Sequence, residues 1–339
     1  MEKMNASFGF LLPEKKDGYY EVNSVAHWAY FTKQVNGGES TAKVRLTADI
    51  DLSATEMTPL NLFSGEIDGQ GHTLTYYLKA TDRDGYSPIL ETRGISVHDL
   101  KLAGTVDGGG YRKITSLITN NKEKPFVLER VYSSVTLKSS YSGDSSISGF
   151  CADNRDVTGT CVIRDCAFVG KVEAPNAANT GGLVGWNKSP LEVQNTMVAT
   201  IYEASPVNSS TLVRQSSSEL TKFTNCYYLV PVATLQGTAL TEEQFESGEA
   251  AYLLQAERPT QVWYQTIGED KRPVLDPTHG VVIKEDGKYL NATGVEMVQD
   301  EADRTKGIDA IYDLTGRKMP AGRLPRGLYI EKGRKYYVR

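Results

Sequence analysis

The sequence predicts a mainly β chain: a right-handed parallel β-helix, with an N-terminal capping helix, a small C-terminal α/β cap and a β-hairpin module. Three observations predict it. Related segments recur about every thirty residues through the middle of the chain. Within them apolar and polar residues alternate over short runs, which is strand periodicity. Glycine and asparagine punctuate the runs, where tight corners need unusual backbone dihedrals.

The repeat has two registers. "SPILETR" (87–93), "TSLITNN" (115–121), "SGFCADN" (148–154), "GGLVGWN" (181–187) and "STLVRQS" (210–216) align, placing Leu90, Ile118, Cys151, Val184 and Val213 in one column. "VHDLKL", "LERVYS", "IRDCAF", "VQNTMV" and "FTNCYY" form the second register, with Asp99, Arg130, Asp165, Asn195 and Asn225 in a column. "GEIDGQGHTLTYYL" (65–78) reads as a further turn, with Asp68 ahead of Asp99. A unit this short cannot bury its own apolar face, but stacked units can. Residues 44–230 are therefore expected to form six or seven stacked turns. The spacing fits neither a leucine-rich repeat nor a propeller blade.

The ends need covers, because an open stack exposes strand edges. Residues 1–43 supply a helix in "VNSVAHWAYFTKQVNGGE" (22–39), with Asn23 or Ser24 as N-cap, Ala26, Trp28, Ala29, Phe31 and Val35 near one face, and Gly37 as a stop. Residues 231–293 read as a C-terminal cap, with a helix over 240–255 that Gly248 can break and a hairpin turning at Asp286-Gly287. Residues 294–306 read as a linker. Residues 307–339 form a last β module; from 304 onward ten Lys/Arg meet three Asp/Glu, which suits an acidic partner or a solvated face.

Bulk properties narrow the function. The net charge is −5 over 339 residues, so nothing points to nucleic acid. No apolar run reaches the ~18–20 residues of a membrane span. "FGFLLP" (8–13) is too short for a secretory core, so the chain reads as intracellular or as a mature form without its export signal. Nineteen tyrosines against nine phenylalanines suit a β-rich, extracellular type of protein. Cys151, Cys161, Cys166 and Cys226 lack zinc or thioredoxin spacing; they read as buried free thiols, with a Cys151–Cys161 bridge the alternative.

Several of these stretches together resemble a known family. "YEVNSVAHWAYFTKQVN", "LTADIDLS", "FSGEIDGQGHTL" and "TGGLVGWN" look like the secreted GLUG-motif β-helix proteins of Bacteroidetes-type bacteria, the motif core lying at Gly181–Asn187. The tail, with "IYDLTGRKM" and "RGLYIEKGRKYYVR", is similar to C-terminal modules of exported proteins, some of them sorting signals. The resemblance implies export to the cell surface or surroundings. It implies no reaction, because the motif accompanies both adhesins and peptidase domains.

Glycosidases place two carboxylates ~5–9.5 Å apart, and neighbouring turns are ~4.8 Å apart. Asp68, Asp99 and Asp165, with His72 and His98 nearby, are thus the catalytic candidates for a polysaccharide lyase or glycoside hydrolase. The competing reading is a corner column that caps its own backbone. No HExxH, P-loop, complete calcium loop or histidine cluster is present, so no metal or cofactor is expected. "GDSSISG" (143–149) lacks the continuation of a serine nucleophile loop.

The leading expectation is a non-catalytic adhesin or scaffold that binds polysaccharide or a host or cell-surface protein; an architectural spacer is a third reading. Candidate binding residues are the aromatics Trp186, Tyr86, Tyr111, Tyr132 and Tyr141, with Tyr76 and Tyr77, wherever they face outward. Asn121, Asn154 and Asn187, spaced 33 and 33, are expected to form a structural ladder.

Overall fold

The computed structural model describes residues 12–81, 85–204, 207–215, 218–292, 295–297, 311–313, 318–319, 324, 327–331 and 334–338. The chain divides into two units, Met1–Thr241 and Glu242–Arg339. The first is a parallel β-helix.

Its longest sheet stacks Tyr19–Val22, Lys43–Leu46, Glu66–Asp68, Ser96–Asp107, Val127–Ser133, Cys161–Arg164, Leu191–Val198 and Thr221–Tyr228 in order, all parallel. The register runs through Tyr20, Val44, Ile67, Val97, Leu128, Ile163, Val193 and Phe223. All but Phe223 are buried, so this column is a spine of the core. Each such side chain contributes ~1.5–3 kcal/mol by leaving water, which is why every rung depends on its neighbours. The pairing continues to Thr238–Ala239, past residue 230.

A second sheet stacks Leu60–Leu62, Ile89–Thr92, Ile118–Glu123, Cys151–Val157, Val184–Asn187 and Val213–Gln215. Ile118, Cys151, Val184 and Val213 share a column, as the repeat predicts. Its next member is Ile89, not Leu90. In a strand a slip of one residue exchanges the two faces, and it is Ile89 that is wholly buried.

The "GGLVG" glycines are not left-handed. Gly181, Gly182 and Gly185 are absent from the positive-φ glycines, which include Gly94 and Gly104. They are small because backbone approaches closely: a Cβ on Gly182 would overlap the Thr211 carbonyl oxygen of the next rung, and one on Gly181 the Val184 oxygen of its own. The left-handed corners fall elsewhere, on Asp99, Arg130, Asp165, Asn195 and Asn225, at φ of 53°, 54°, 54°, 47° and 54°. The second column is therefore one of backbone corners. Four of its five members are the Asp or Asn that best tolerate that conformation.

Both ends of the second sheet are closed. The helix Val25–Asn36 starts at Ser24, whose Oγ accepts from the His27 amide at 3.3 Å. It buries Trp28, Phe31 and Val35, and Phe31 meets Phe63 edge-on at 5.6 Å. Its last residue, Asn36, donates from Nδ2 to the Pro59 carbonyl (3.0 Å) and accepts at Oδ1 from the Asn61 amide (2.8 Å). At the far end, Gln236 accepts at Oε1 from the Val213 amide and donates from Nε2 to the Val213 carbonyl, both 2.7 Å. A primary amide thus stands in for the missing strand at either end.

In the second unit, short helices Glu242–Glu246 and Glu249–Gln255 flank Gly248, which is left-handed at φ 89°. The hairpin Val282–Glu285 with Lys288–Asn291 turns at Asp286 (φ 47°) and Gly287 (φ 78°). Val295–Met297, within the segment read as a linker, pairs with Arg334–Val338 in a four-stranded sheet with Gly327–Glu331 and Ile311–Asp313. The linker reading fails there because strand pairing claims those residues. The rest of 294–306 and the Lys332-Gly333 turn lie outside the described residues.

Candidate functional site

Two places gather functional side chains. The first is the outward face of the longest sheet, where Asp68 pairs in register with His98 rather than with Asp99. The segment Gly69–His72 makes a wider turn before Thr73 rejoins the ladder opposite Lys101. That insertion takes Asp68 out of the corner column.

The carboxylate candidates still converge. Ligating atoms of Asp68, His98 and Asp99 lie within 4.8 Å of one another. Their valences are already used. Asp68 accepts from Arg45 Nε (3.0 Å) and Gln70 Nε2 (2.7 Å). Asp99 accepts from Arg130 through Nε (2.5 Å) and a terminal nitrogen (2.8 Å), and faces His98 Nδ1 at 2.9 Å. His98 Nε2 meets Glu66 at 3.2 Å, and Glu66 also accepts from Tyr19 and pairs with Lys43. A metal ion here would compete with two guanidinium groups for the same oxygens.

The titration behaviour follows from these bonds. The bond to Asp99 outweighs burial and, with help from Glu66, raises His98 to about 8. Burial opposes ionisation of Glu66, yet Tyr19, Lys43 and His98 together bring it down to about 2. Burial likewise opposes Asp99, and Arg130 and His98 override it, holding it well below the usual carboxylate range. An acid catalyst needs a carboxyl raised toward neutrality. Glu66 and Asp99 are shifted the other way. Asp165, two rungs beyond Asp99, is buried at 3% exposure and occupies a backbone corner.

In the register of Asp68, the outward column reads Glu21, Arg45, Asp68, His98, Glu129, Arg164, then Gln194 and Thr224. The sign alternates at every step to Arg164. Such a column is satisfied by itself.

The second place is the cleft around Trp186, about 260 Å³ in volume. Trp186 is half-buried and stands in register with Asp153 and Asn120. Among the described residues, Arg112, Lys113, Arg155, Lys188 and Arg214 line the cleft together with Asp144 and Asp153. Asp153 is buried between Lys113 (2.9 Å) and Arg155 (2.8 Å from Nε). Arg214 lies over the Trp186 ring, 4.3 Å from its centroid. Its guanidinium also bonds Asp144 (3.0 Å) and the carbonyls of Ser145 (2.8 Å) and Asn179 (3.1 Å). The ring is thus held by a side chain that is itself anchored. Lys188 is exposed, 5.6 Å from the same centroid.

The tyrosines divide. Tyr76 and Tyr86 are buried and offer no face to a ligand. Tyr86 packs on Tyr111 at 6.1 Å, and both hydroxyls bond the Thr81 backbone. Tyr77, Tyr111, Tyr132 and Tyr141 are half-buried. All four cysteines are free and buried. Asn121 donates to Asn154 and Asn154 to Asn187, both at 2.8 Å, and Asn187 donates to Thr221 at 3.1 Å.

Sequence reasoning singled out Trp186 but missed its cations. Lys188 is visible two residues on. Arg214 stands in the aligned segment 210–216, whose strand pairs directly with that of Trp186, so the repeat could have found it; Arg112 lies two rungs away, outside the aligned segments, and only the stacking brings it in.

No family model and no curated protein matches the chain. A solved structure described as that of "a putative immunoglobulin A1 protease from Bacteroides ovatus" is similar at a TM-score of 0.49 and 16% identity, covering 77% of this chain and 94% of that one.

Proposed function

We propose that this chain is a non-catalytic binding scaffold of the cell surface or its surroundings, an adhesin-type β-helix whose ligand seats in the Trp186 cleft. The observation that carries the reading is an anchored aromatic ring inside a concave, cation-lined recess. The GLUG-type resemblance around Gly181–Asn187 supports the surface setting. No helix among the described residues is long and apolar enough to cross a membrane. The carboxylate cluster supports binding over hydrolysis, since every member is ion-paired.

A glycan array probed with the wild type and Trp186→Ala tests it. The variant is expected to keep its melting temperature within a few degrees and lose at least about tenfold in affinity, ~1.4 kcal/mol. Undiminished binding after replacing Trp186 and the half-buried tyrosines would sink the assignment. Asp99→Asn assayed on polysaccharides checks the hydrolytic reading; we expect no turnover in either protein.

A further inference from the structure

We infer that the cavity beside the helix Val25–Asn36 is a second binding site, and that it takes the acetamido group of an N-acetylated amino sugar. It lies at the N-terminal end of the stack and does not rest on the Trp186 cleft. The cavity measures about 300 Å³. The helix lines it with Val25, Trp28, Ala29, Thr32 and Asn36, which are three or four residues apart and so share one face. From outside the helix, Leu52 and Met57, both buried, line it as well.

Two buried polar atoms point to the ligand. Trp28 and Thr32 are 3% and 4% exposed, yet among the described residues neither Trp28 Nε1 nor Thr32 Oγ1 has a hydrogen-bond partner. Buried polar groups are nearly always paired, and these two stand four residues apart on the face that lines the cavity. Asn36, on the same face, already pairs with Pro59 and Asn61. An indole N–H can only donate, whereas a threonine hydroxyl donates or accepts. A secondary amide answers both: its carbonyl accepts from Trp28 and its N–H donates to Thr32. Leu52 and Met57 give the acetyl methyl an apolar surface.

Size and backbone favour a sugar over a peptide. About 300 Å³ is the bottom of the usual range for small-molecule sites, ~300–1,000 Å³, and holds one acetamido-bearing ring. Lys33, Thr55, Glu56 and Thr58, all exposed, also line the cavity and offer polar partners to ring hydroxyls. A peptide would instead add to a strand edge. The strand Ile50–Glu56, which supplies part of the lining, pairs with Thr73–Lys79 but shifts register between Asp51 and Glu56. Its Ser53 amide is taken by Asp51 Oδ1 at 2.8 Å. A strand with broken register and a claimed amide makes a poor template.

The test is calorimetric titration of the full chain with triacetylchitotriose, its de-acetylated form, cellotriose and N-acetylglycinamide, with the Trp28 indole N–H followed by NMR. The proteins are the wild type, Trp28→Phe, Thr32→Val, Ala29→Phe and Trp186→Ala, each checked by its melting curve. Thr32→Val removes an unpartnered hydroxyl and is expected to melt no lower than the wild type. Triacetylchitotriose is expected to bind the wild type and Trp186→Ala alike and to move the indole proton downfield. Trp28→Phe and Thr32→Val are expected to lose at least about tenfold. Ala29→Phe, which fills the cavity from an exposed position, is expected to lose all binding. The de-acetylated trimer and cellotriose are expected to bind at least about tenfold more weakly. Equal binding of cellotriose would overturn the acetamido assignment. Binding that survives in both Thr32→Val and Ala29→Phe would overturn the site. Loss in Trp186→Ala alone would assign the sugar to the other cleft and overturn this site while supporting that one. Cavity-dependent binding of N-acetylglycinamide without the sugars would replace the sugar by an acylated peptide. No binding of any compound would overturn the inference and leave the Trp186 reading to its own array.

Discussion

His98 shows how one side chain ties four others together. It sits between Asp99, Asp68 and Glu66, and Arg130 completes the group. Its folded value of about 8 exceeds the ordinary ~6.5, so the protonated form stabilises the fold. That contribution is fully present below about pH 6.5 and disappears as pH rises through about 8. Wild type is expected to lose about 1–2 kcal/mol between these limits, and His98→Gln is not. Urea unfolding at both pH values measures it; parallel losses in both proteins would refute the coupling. Glycine 182 makes a second prediction at this scale. Alanine there must displace the Thr211 carbonyl, so Gly182→Ala is expected to cost several kcal/mol, about 3 or more, in thermal unfolding. From sequence, these glycines read as corner residues. Composition shows that a position is small, but not whether dihedral freedom or close approach requires it.

Amide side chains do two jobs at the level of strands. In the core, Asn121, Asn154 and Asn187 pass hydrogen bonds in one direction and end on Thr221. The other end is Asn121 Oδ1, which has no partner beside the equally unpartnered Thr92 hydroxyl, its neighbour in register. Replacing Asn154 by alanine removes a donor and an acceptor from a buried row. A loss of about 2–5 kcal/mol is expected, read by denaturant titration, because Asn121 Nδ2 and Asn187 Oδ1 each lose their 2.8 Å partner in the row. At the sheet ends, Asn36 and Gln236 occupy edges that would otherwise template further pairing. Asn36→Ala with Gln236→Ala is expected to raise the fraction of oligomer at high concentration, seen by light scattering. A strictly monodisperse double variant would show that other groups protect the edges. The ladder was legible from its equal spacing of 33, because three identical residues at one interval leave little else to mean. The end amides were not, since each is a single residue whose partner lies in a strand more than twenty residues away.

The molecule as a whole was legible where it repeats and obscure where it does not. Val97, Leu128, Ile163, Val193 and Phe223 align in the sequence as they stack in space. The Glu66–Asp68 rung escapes alignment because Gly69–His72 lengthens its turn, so Asp68 stands opposite His98 and not Asp99. Because each rung leans only on its neighbours, stability should fall from the centre outward. Hydrogen exchange is expected to be slowest in Ile118–Glu123 and Cys151–Val157 and faster in Leu60–Leu62 and Val213–Gln215. Uniform protection would argue for one cooperative block.

The alternating column from Glu21 to Arg164 also bears on how such a chain can change length. Deleting the rung that carries Glu129 would set His98 against Arg164, two cations in direct register. Deleting the His98 and Glu129 rungs together would set Asp68 against Arg164, and the sequence of signs would survive. Duplications and losses in this half of the solenoid are therefore constrained to even numbers. Beyond Arg164 the column passes to Gln194 and Thr224, both neutral, and single rungs can come and go there without placing like charges face to face.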